Sequence, residues 1–153
     1  MQKINIICVG NLKDKEYISL AKEYEKRISR FAKVNIIEKK EYTMFDNISQ
    51  TIEKESKDLQ SELSGKKYVM LDKDGEMLSS EQLAKFFENW FNTNDELNFV
   101  IGGSYGVDNA VKDNAKKLLS FSKMTFPHRL ARIMLLEQVY RALTINNNVS
   151  YHK

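Results

Sequence analysis

Residues 127–143 constrain the fold more than any other stretch. They open on Pro127, the only proline of the chain, and continue as Arg-Leu-Ala-Arg-Ile-Met-Leu-Leu-Glu-Gln-Val-Tyr-Arg-Ala over 129–142. Proline favours the first position of a helix, so the spacing predicts a helix from Pro127. Leu130, Ile133, Met134, Leu135, Leu136, Val139, Tyr140 and Leu143 place apolar side chains on nearly every side of it. A surface helix keeps one polar face. This helix must therefore be covered on most of its circumference, partly by a sheet and partly by something else, for which a second copy of the chain is the expected candidate.

The rest of the chain supplies the sheet. Ile4, Ile6, Ile7 and Val9 read as a buried strand, Val34–Ile37 as a second, Tyr68–Leu71 as a third, Leu97–Ile101 as a fourth and Leu119–Phe121 as a short fifth. Between them lie helical spacings: Tyr17 to Phe31, a charged and exposed helix from Ile48 to Leu63 closed by Gly65, a helix holding Leu83, Phe86, Phe87, Trp90 and Phe91, and one from Val107 to Leu118. Ser79 with Gln82 forms a capping box for the third of these. Residues 39–46 read as a loop, and Asp72–Gly75 as a turn rather than a calcium loop, because the remaining ligands are missing. Strands alternating with helices predict an α/β fold: a mainly parallel sheet with helices on both faces, over one domain spanning 1–153.

Charge is unevenly distributed. Residues 1–106 hold 16 Lys+Arg and 18 Asp+Glu, whereas 107–153 hold 8 and 3. A basic C-terminal third points to an acidic partner such as nucleic acid. The single cysteine, Cys8, sits in the first strand and reads as a buried small hydrophobe, which fits a reducing cytoplasm. No apolar run approaches the roughly 20 residues of a membrane span. Two histidines and one distant cysteine make no metal signature, so no metal is expected.

Two loops follow strands in the C-terminal half. Phe-Val-Ile-Gly-Gly-Ser-Tyr-Gly covers 99–106, with GG-x-x-G spacing rather than a dinucleotide fingerprint. The absence of side chains permits close backbone approach to a ligand or simply a tight turn. Leu-Ser-Phe-Ser-Lys-Met-Thr-Phe-Pro-His covers 119–128 and ends at the helix opening. Strand ends at Leu71, Ile101 and Phe121 should meet at one sheet edge, where a ligand site is expected in an α/β fold. Ser120, Ser122 and Thr125 have no evident His/Asp arrangement for nucleophilic catalysis.

Together these strings, with Glu-Gln-Val-Tyr-Arg-Ala (137–142), the terminal Tyr151-His152-Lys153, the opening Ile6-x-x-Val9-Gly10-x-Leu12-Lys13, Tyr24–Arg27 and Asp74–Glu81, resemble the ribosomal RNA large-subunit methyltransferase H family of the SPOUT class. The resemblance covers essentially the whole chain and is least specific over 47–64. It implies a C-terminal trefoil knot, a homodimer, and S-adenosylmethionine as methyl donor, bound by Leu71, Gly102, Gly103, Phe121, Ser122, Lys123, Met124, Thr125 and Phe126. It implies methylation of N3 of a pseudouridine in 23S ribosomal RNA of the assembled ribosome. The N3 imide is weakly acidic, so a base or a cation should assist. Candidates are His128, Arg129, Arg132, Glu137, Arg141, Tyr151 and His152; Glu137 and Arg141 are equally placed for a structural i,i+4 pair. Alternatives are a SPOUT methyltransferase acting on transfer RNA, and a non-catalytic ribosome-binding protein of the same fold.

Overall fold

The computed structural model describes residues 1–43 and 47–153. Of the expected loop at 39–46, residues 44–46 lie outside the described residues, and Lys39 still belongs to a strand. The elements run β1 (Lys3–Val9), α1 (Lys15–Ile28), β2 (Lys33–Lys39), α2 (Ile48–Leu63), β3 (Tyr68–Met77), α3 (Ser80–Trp90), β4 (Glu96–Ile101), α4 (Asn109–Asp113), β5 (Lys117–Ser120) and α5 (His128–Asn146). The five strands form one sheet in the order β2-β1-β4-β3-β5, every pair parallel. This is the α/β architecture that the alternation predicts.

Alternation along each strand sorts side chains to two cores. Ile4, Ile6 and Cys8 of β1 face a cluster with Ala21 and Ile28 of α1, Leu83 and Phe87 of α3, and Leu135, Leu136 and Val139 of α5. Ile7 and Val9 face the other side, with Leu59 and Leu63 of α2 and Val111 of α4. Helix α5 thus lies on the sheet with α1 and α3 packed along it. Most of its apolar circumference is covered within one chain, and Leu135 and Leu136 are fully buried there. The sequence argument that a partner must hide this surface is weakened accordingly; only Leu130 and Met134 of the apolar positions named above stay half-buried.

Three boundaries differ from expectation. Helix α4 is a single short turn, and Leu118 joins β5 instead, because Leu118 and Leu119 are both apolar and periodicity alone does not divide them. Strand β5 ends at Ser120, leaving Phe121 just past it. Strand β3 continues beyond Leu71: Asp72–Gly75 forms an excursion, held by Asp74 N–H donating to the Asp72 carboxylate, after which Glu76 and Met77 pair again with Leu119 and Ser120. Helix α2 is less exposed than its charge suggests, since Thr51, Glu55, Ser56, Leu59 and Leu63 are buried.

Near this excursion two hydrogen bonds tie distant segments together. The Ser120 hydroxyl donates to the Lys73 carbonyl at 3.0 Å, and the Ser80 hydroxyl to Gln138 of α5 at 2.8 Å. The β3 excursion is therefore fastened to β5, and the first turn of α3 to α5. These two links are consistent with the C-terminal trefoil knot that the resemblance implies.

A polar ladder crosses the α2 face of the sheet. Asn35, Asn5 and Asn98 occupy paired positions on β2, β1 and β4. Asn35 Nδ2 donates to Asn5 Oδ1 at 2.9 Å, Asn5 Nδ2 to Asn98 Oδ1 at 2.8 Å, and Asn98 Nδ2 to the Lys67 carbonyl at 2.9 Å. A one-residue slip would break every link, so the ladder fixes register as well as satisfying buried amides. Asn98→Ala should destabilise the fold by about 2 kcal/mol, since it leaves buried polar partners unpaired. Urea unfolding reads this; a loss below about 0.5 kcal/mol would show the ladder to be dispensable.

Candidate functional site

The three positions that the sequence singles out lie on neighbouring strands, though Leu71 is inside β3 and Phe121 just past β5. Strand β3 pairs with β4 as far as Met70–Val100 and with β5 at Leu71–Leu119. Leu71, Ile101–Gly102 and Ser120–Phe121 therefore follow one another along a single edge. Above it, α3 and α5 enclose a cleft of about 570 Å³. Leu78, Leu119, Phe121 and Ile133 give it apolar walls, while Ser79, Ser80 and Glu137 supply polar atoms. Leu20 and Tyr24 of α1 and Met134 of α5 continue the lining outward.

The expected ligand residues separate in role. Phe121 lines the cleft itself. Ser122 shapes the loop: its N–H donates to the Ser120 hydroxyl, and its own hydroxyl accepts from Met124 N–H at 3.0 Å. Lys123, Met124 and Thr125 are exposed, Met124 at 72%, while Phe126 is half-buried. Gly102 abuts Val107 and Met70. Gly103 faces α2: a Cβ there would stand 2.6 Å from Glu55 Oε1. A bulky substitution at Gly103 would strike Glu55 first, so it would test how the loop is seated rather than contact with a ligand.

The candidate catalytic residues form two groups. One stands at the start of α5. His128 Nε2 lies 3.2 Å from Glu41 Oε2, and its Nδ1 lies 3.5 Å from the Ser104 hydroxyl. Burial lowers the pKa of His128, against the opposing pull of Glu41, which favours the neutral imidazole. Arg129 donates to Glu41 Oε1 and to the Asn11 carbonyl, both at 2.7 Å. Arg132 is almost fully buried; it donates to Glu38 at 2.6 Å and to the Gly10 carbonyl at 2.9 Å, where it fastens α5 to the ends of β1 and β2.

The second group is centred on Glu137 and Arg141, the latter about 20 Å along the helix from His128 at 1.5 Å per residue. Arg141 donates from Nε to Glu137 Oε1 at 2.9 Å, the i,i+4 pair expected from spacing. The Tyr151 hydroxyl donates to the same Glu137 oxygen at 3.2 Å. The Tyr151 ring meets Tyr140 edge-on at 4.7 Å and lies under the Arg141 guanidinium. His152 is 3.1 Å from Arg141 through Nδ1 and 2.7 Å from Glu81 through Nε2. Desolvation, helped by Glu137 and Tyr24, pushes the Tyr151 phenol up to about 12, so it remains a hydrogen-bond donor throughout neutral pH. A terminal Tyr-His-Lys would ordinarily fray; here Tyr151 is tied to the cleft-lining Glu137, and His152 to Arg141 and Glu81.

Sequence reasoning missed a second cleft, of about 430 Å³, on the α2 side of the glycine loop. It is bounded by Glu41, Thr51, Glu55, Ser104, Tyr105 and Arg129. A signal was present: Thr51, Glu55, Leu59 and Leu63 recur every four residues, so Glu55 lies on the stripe that α2 buries.

Comparison with known proteins places this architecture. A family described as "Predicted SPOUT methyltransferase" matches residues 2–152. The protein named "Ribosomal RNA large subunit methyltransferase H" from Fusobacterium nucleatum subsp. nucleatum is 46% identical over 153 residues, covering 98% of this chain and 99% of its own. The protein of the same name from Caldicellulosiruptor saccharolyticus is 40% identical with the same coverage. Among solved structures, a probable methylase family protein from Haemophilus influenzae Rd KW20 superposes with a TM-score of 0.55 at 11% identity, over 98% of this chain and 70% of that one, a likeness of fold. A parallel sheet with its clefts at the strand ends, matched over nearly its whole length, thus has a family: the chain belongs to the SPOUT methyltransferases, among the ribosomal RNA large subunit methyltransferases H.

Proposed function

We propose that this chain transfers a methyl group from S-adenosylmethionine to N3 of a pseudouridine in 23S ribosomal RNA of the assembled large subunit. The observation that carries the reading is the cleft at the ends of β3 and β5, in a chain whose relatives named for large-subunit ribosomal RNA methylation match it end to end. A ribosomal substrate implies work in the cytoplasm.

The cleft fits the donor. Phe121, Leu78 and Leu119 offer apolar faces for a purine; backbone at Leu71, Gly102 and Phe121–Phe126, the positions the family resemblance implies, would bond its polar edge from beside the cleft. Glu137, paired with Arg141, closes the other end with a polar wall. When bound, S-adenosylmethionine supplies a methyl group activated on a sulfonium centre. The chain has three tasks: to hold the acceptor nitrogen in line with that methyl, to keep water out, and to receive the imide proton. His128, its pKa lowered by burial, stands between Glu41 and Ser104 and is the proton acceptor in this reading, while His152 bridges Arg141 and Glu81.

The working unit is a homodimer. Leu20 is 42% exposed beside Tyr24 and Met134 at the outer end of the cleft, which leaves an apolar strip across α1 and α5 for a second copy. The two catalytic groups, about 20 Å apart in one chain, can then be supplied to one site by different protomers. Met134→Glu is the informative variant, because Leu135 is core and its replacement would unfold the chain. Sedimentation should show dimers that dissociate in Met134→Glu; a stable, active monomer of the unmodified chain would overturn this arrangement.

The substrate is tested in cells. Mass spectrometry of ribosomal RNA from a strain lacking the protein should lose one methyl on a pseudouridine of the large subunit. An unaltered modification profile would reject the assignment.

A further inference from the structure

The cleft on the α2 side of the glycine loop shares no lining residue with the cleft assigned to the methyl donor, and its chemistry is selective. Its most buried polar group is Glu55, only 2% exposed. Glu55 Oε2 accepts from Tyr42 N–H at 2.9 Å. Oε1 has no hydrogen-bond partner among the described residues and lies against Gly103. An unpartnered buried carboxyl oxygen is costly, and a ligand that bonds it recovers that cost. Burial raises the Glu55 pKa against the lowering pull of the Tyr42 N–H, with Glu41 and Asp58 adding to the rise.

Three features select the ligand. An anion would meet Glu55 and Glu41 and find Arg129 already paired with Glu41, so phosphate and carboxylate are disfavoured. An alkyl chain would strand the hydroxyls of Thr51 and Ser104. A flat ring with hydrogen-bonding edges suits both: Tyr105, 55% exposed, offers an aromatic face over the cleft, and Glu55 a polar floor. Positive charge stands outside, where Lys40 and Lys54 approach the Tyr42 ring and can meet flanking phosphates.

We infer that this cleft receives an unstacked base of the RNA substrate, with Glu55 bonding its polar edge and Tyr105 stacking on its face. The inference rests on the RNA methyltransferase reading and adds base-recognition residues to it. The glycine loop then separates two ligands. Gly102 belongs to the edge at Leu71, while Gly103–Tyr105 walls the base cleft. Ser56 Oγ, accepting from Asp108 N–H at 2.9 Å, fixes the far end of the same loop to α2.

The test uses the full chain with Tyr105→Ala, a surface change, and Glu55→Gln, which keeps the shape of the side chain. S-adenosylmethionine affinity by calorimetry and kcat/KM on ribosomes lacking the modification are measured for each. Both variants should keep cofactor Kd within about twofold and lose about tenfold or more in kcat/KM. Unchanged kcat/KM in both would overturn the proposal. So would a parallel loss of cofactor affinity in Glu55→Gln, which would make Glu55 a brace for Gly103 alone. If the unmodified chain transfers no methyl to ribosomes, the RNA methyltransferase reading fails separately. Binding of a short single-stranded pseudouridine-containing RNA then decides the cleft: about fivefold weaker binding by Tyr105→Ala upholds it, and equal binding overturns it.

Discussion

Gly75→Val is expected to lower stability by ~3 kcal/mol or more, a fall of roughly 10 °C in the unfolding midpoint for a chain of this size. A Cβ at Gly75 would stand 2.6 Å from both the carbonyl carbon and oxygen of Leu118 and 2.8 Å from Leu119 N. These are backbone atoms of a buried strand, so no side chain can swing aside. The excursion of β3 must lift off β5, taking with it the Glu76 and Met77 pairings and the Ser120–Lys73 bond. Because Leu119, Ser120 and Phe121 line the cleft, cofactor affinity should fall more than tenfold in whatever protein still folds. Asp74→Ala, at an exposed neighbour, is the control and should change the midpoint by no more than about 2 °C. A normal midpoint and normal affinity in Gly75→Val would mean that the β3 excursion packs on β5 more loosely than described.

Removal of residues 151–153 is expected to lower turnover at least tenfold while moving the midpoint by only about 3–6 °C, the cost of uncovering Tyr140. The tail does more than cover a ring. Tyr151 and Arg141 share one oxygen of Glu137, and His152 joins Arg141 to Glu81 at the start of α3. Without it, Arg141 and Glu137 lose the contacts that set their positions beside the cleft. Tyr151→Phe separates the two contributions: it keeps the ring and removes only the hydroxyl bond to Glu137. A truncated protein with full activity would return these residues to a purely structural part.

The sequence made the sheet legible because each strand is a short apolar run closed by polar residues or glycine. The capping box at Ser79 and Gln82 is present as read. What escaped was information carried by polar residues at buried positions. Asn5, Asn35 and Asn98 look like interruptions of strands until their registers are known. Glu55 and Ser56 look like surface residues of a charged helix until the glycine loop is seen against them. Pattern reading treats a carboxyl as exposed by default, and only the partner across the fold reverses that. The same limit applies to α5, whose apolar circumference implies cover but not which surfaces provide it; α1 and α3 provide most of it. Candidate site residues were legible as strings, but their division into two groups at opposite ends of one helix required coordinates.

The central claim is that this chain methylates N3 of a pseudouridine in the large ribosomal subunit. The most direct measurement incubates the purified full-length chain with labelled S-adenosylmethionine and assembled ribosomes from a strain lacking the protein, then maps the labelled nucleotide. The account predicts one methyl per large subunit, on N3 of a pseudouridine in 23S RNA. Label on transfer RNA, on another base, or on no RNA at all would contradict it.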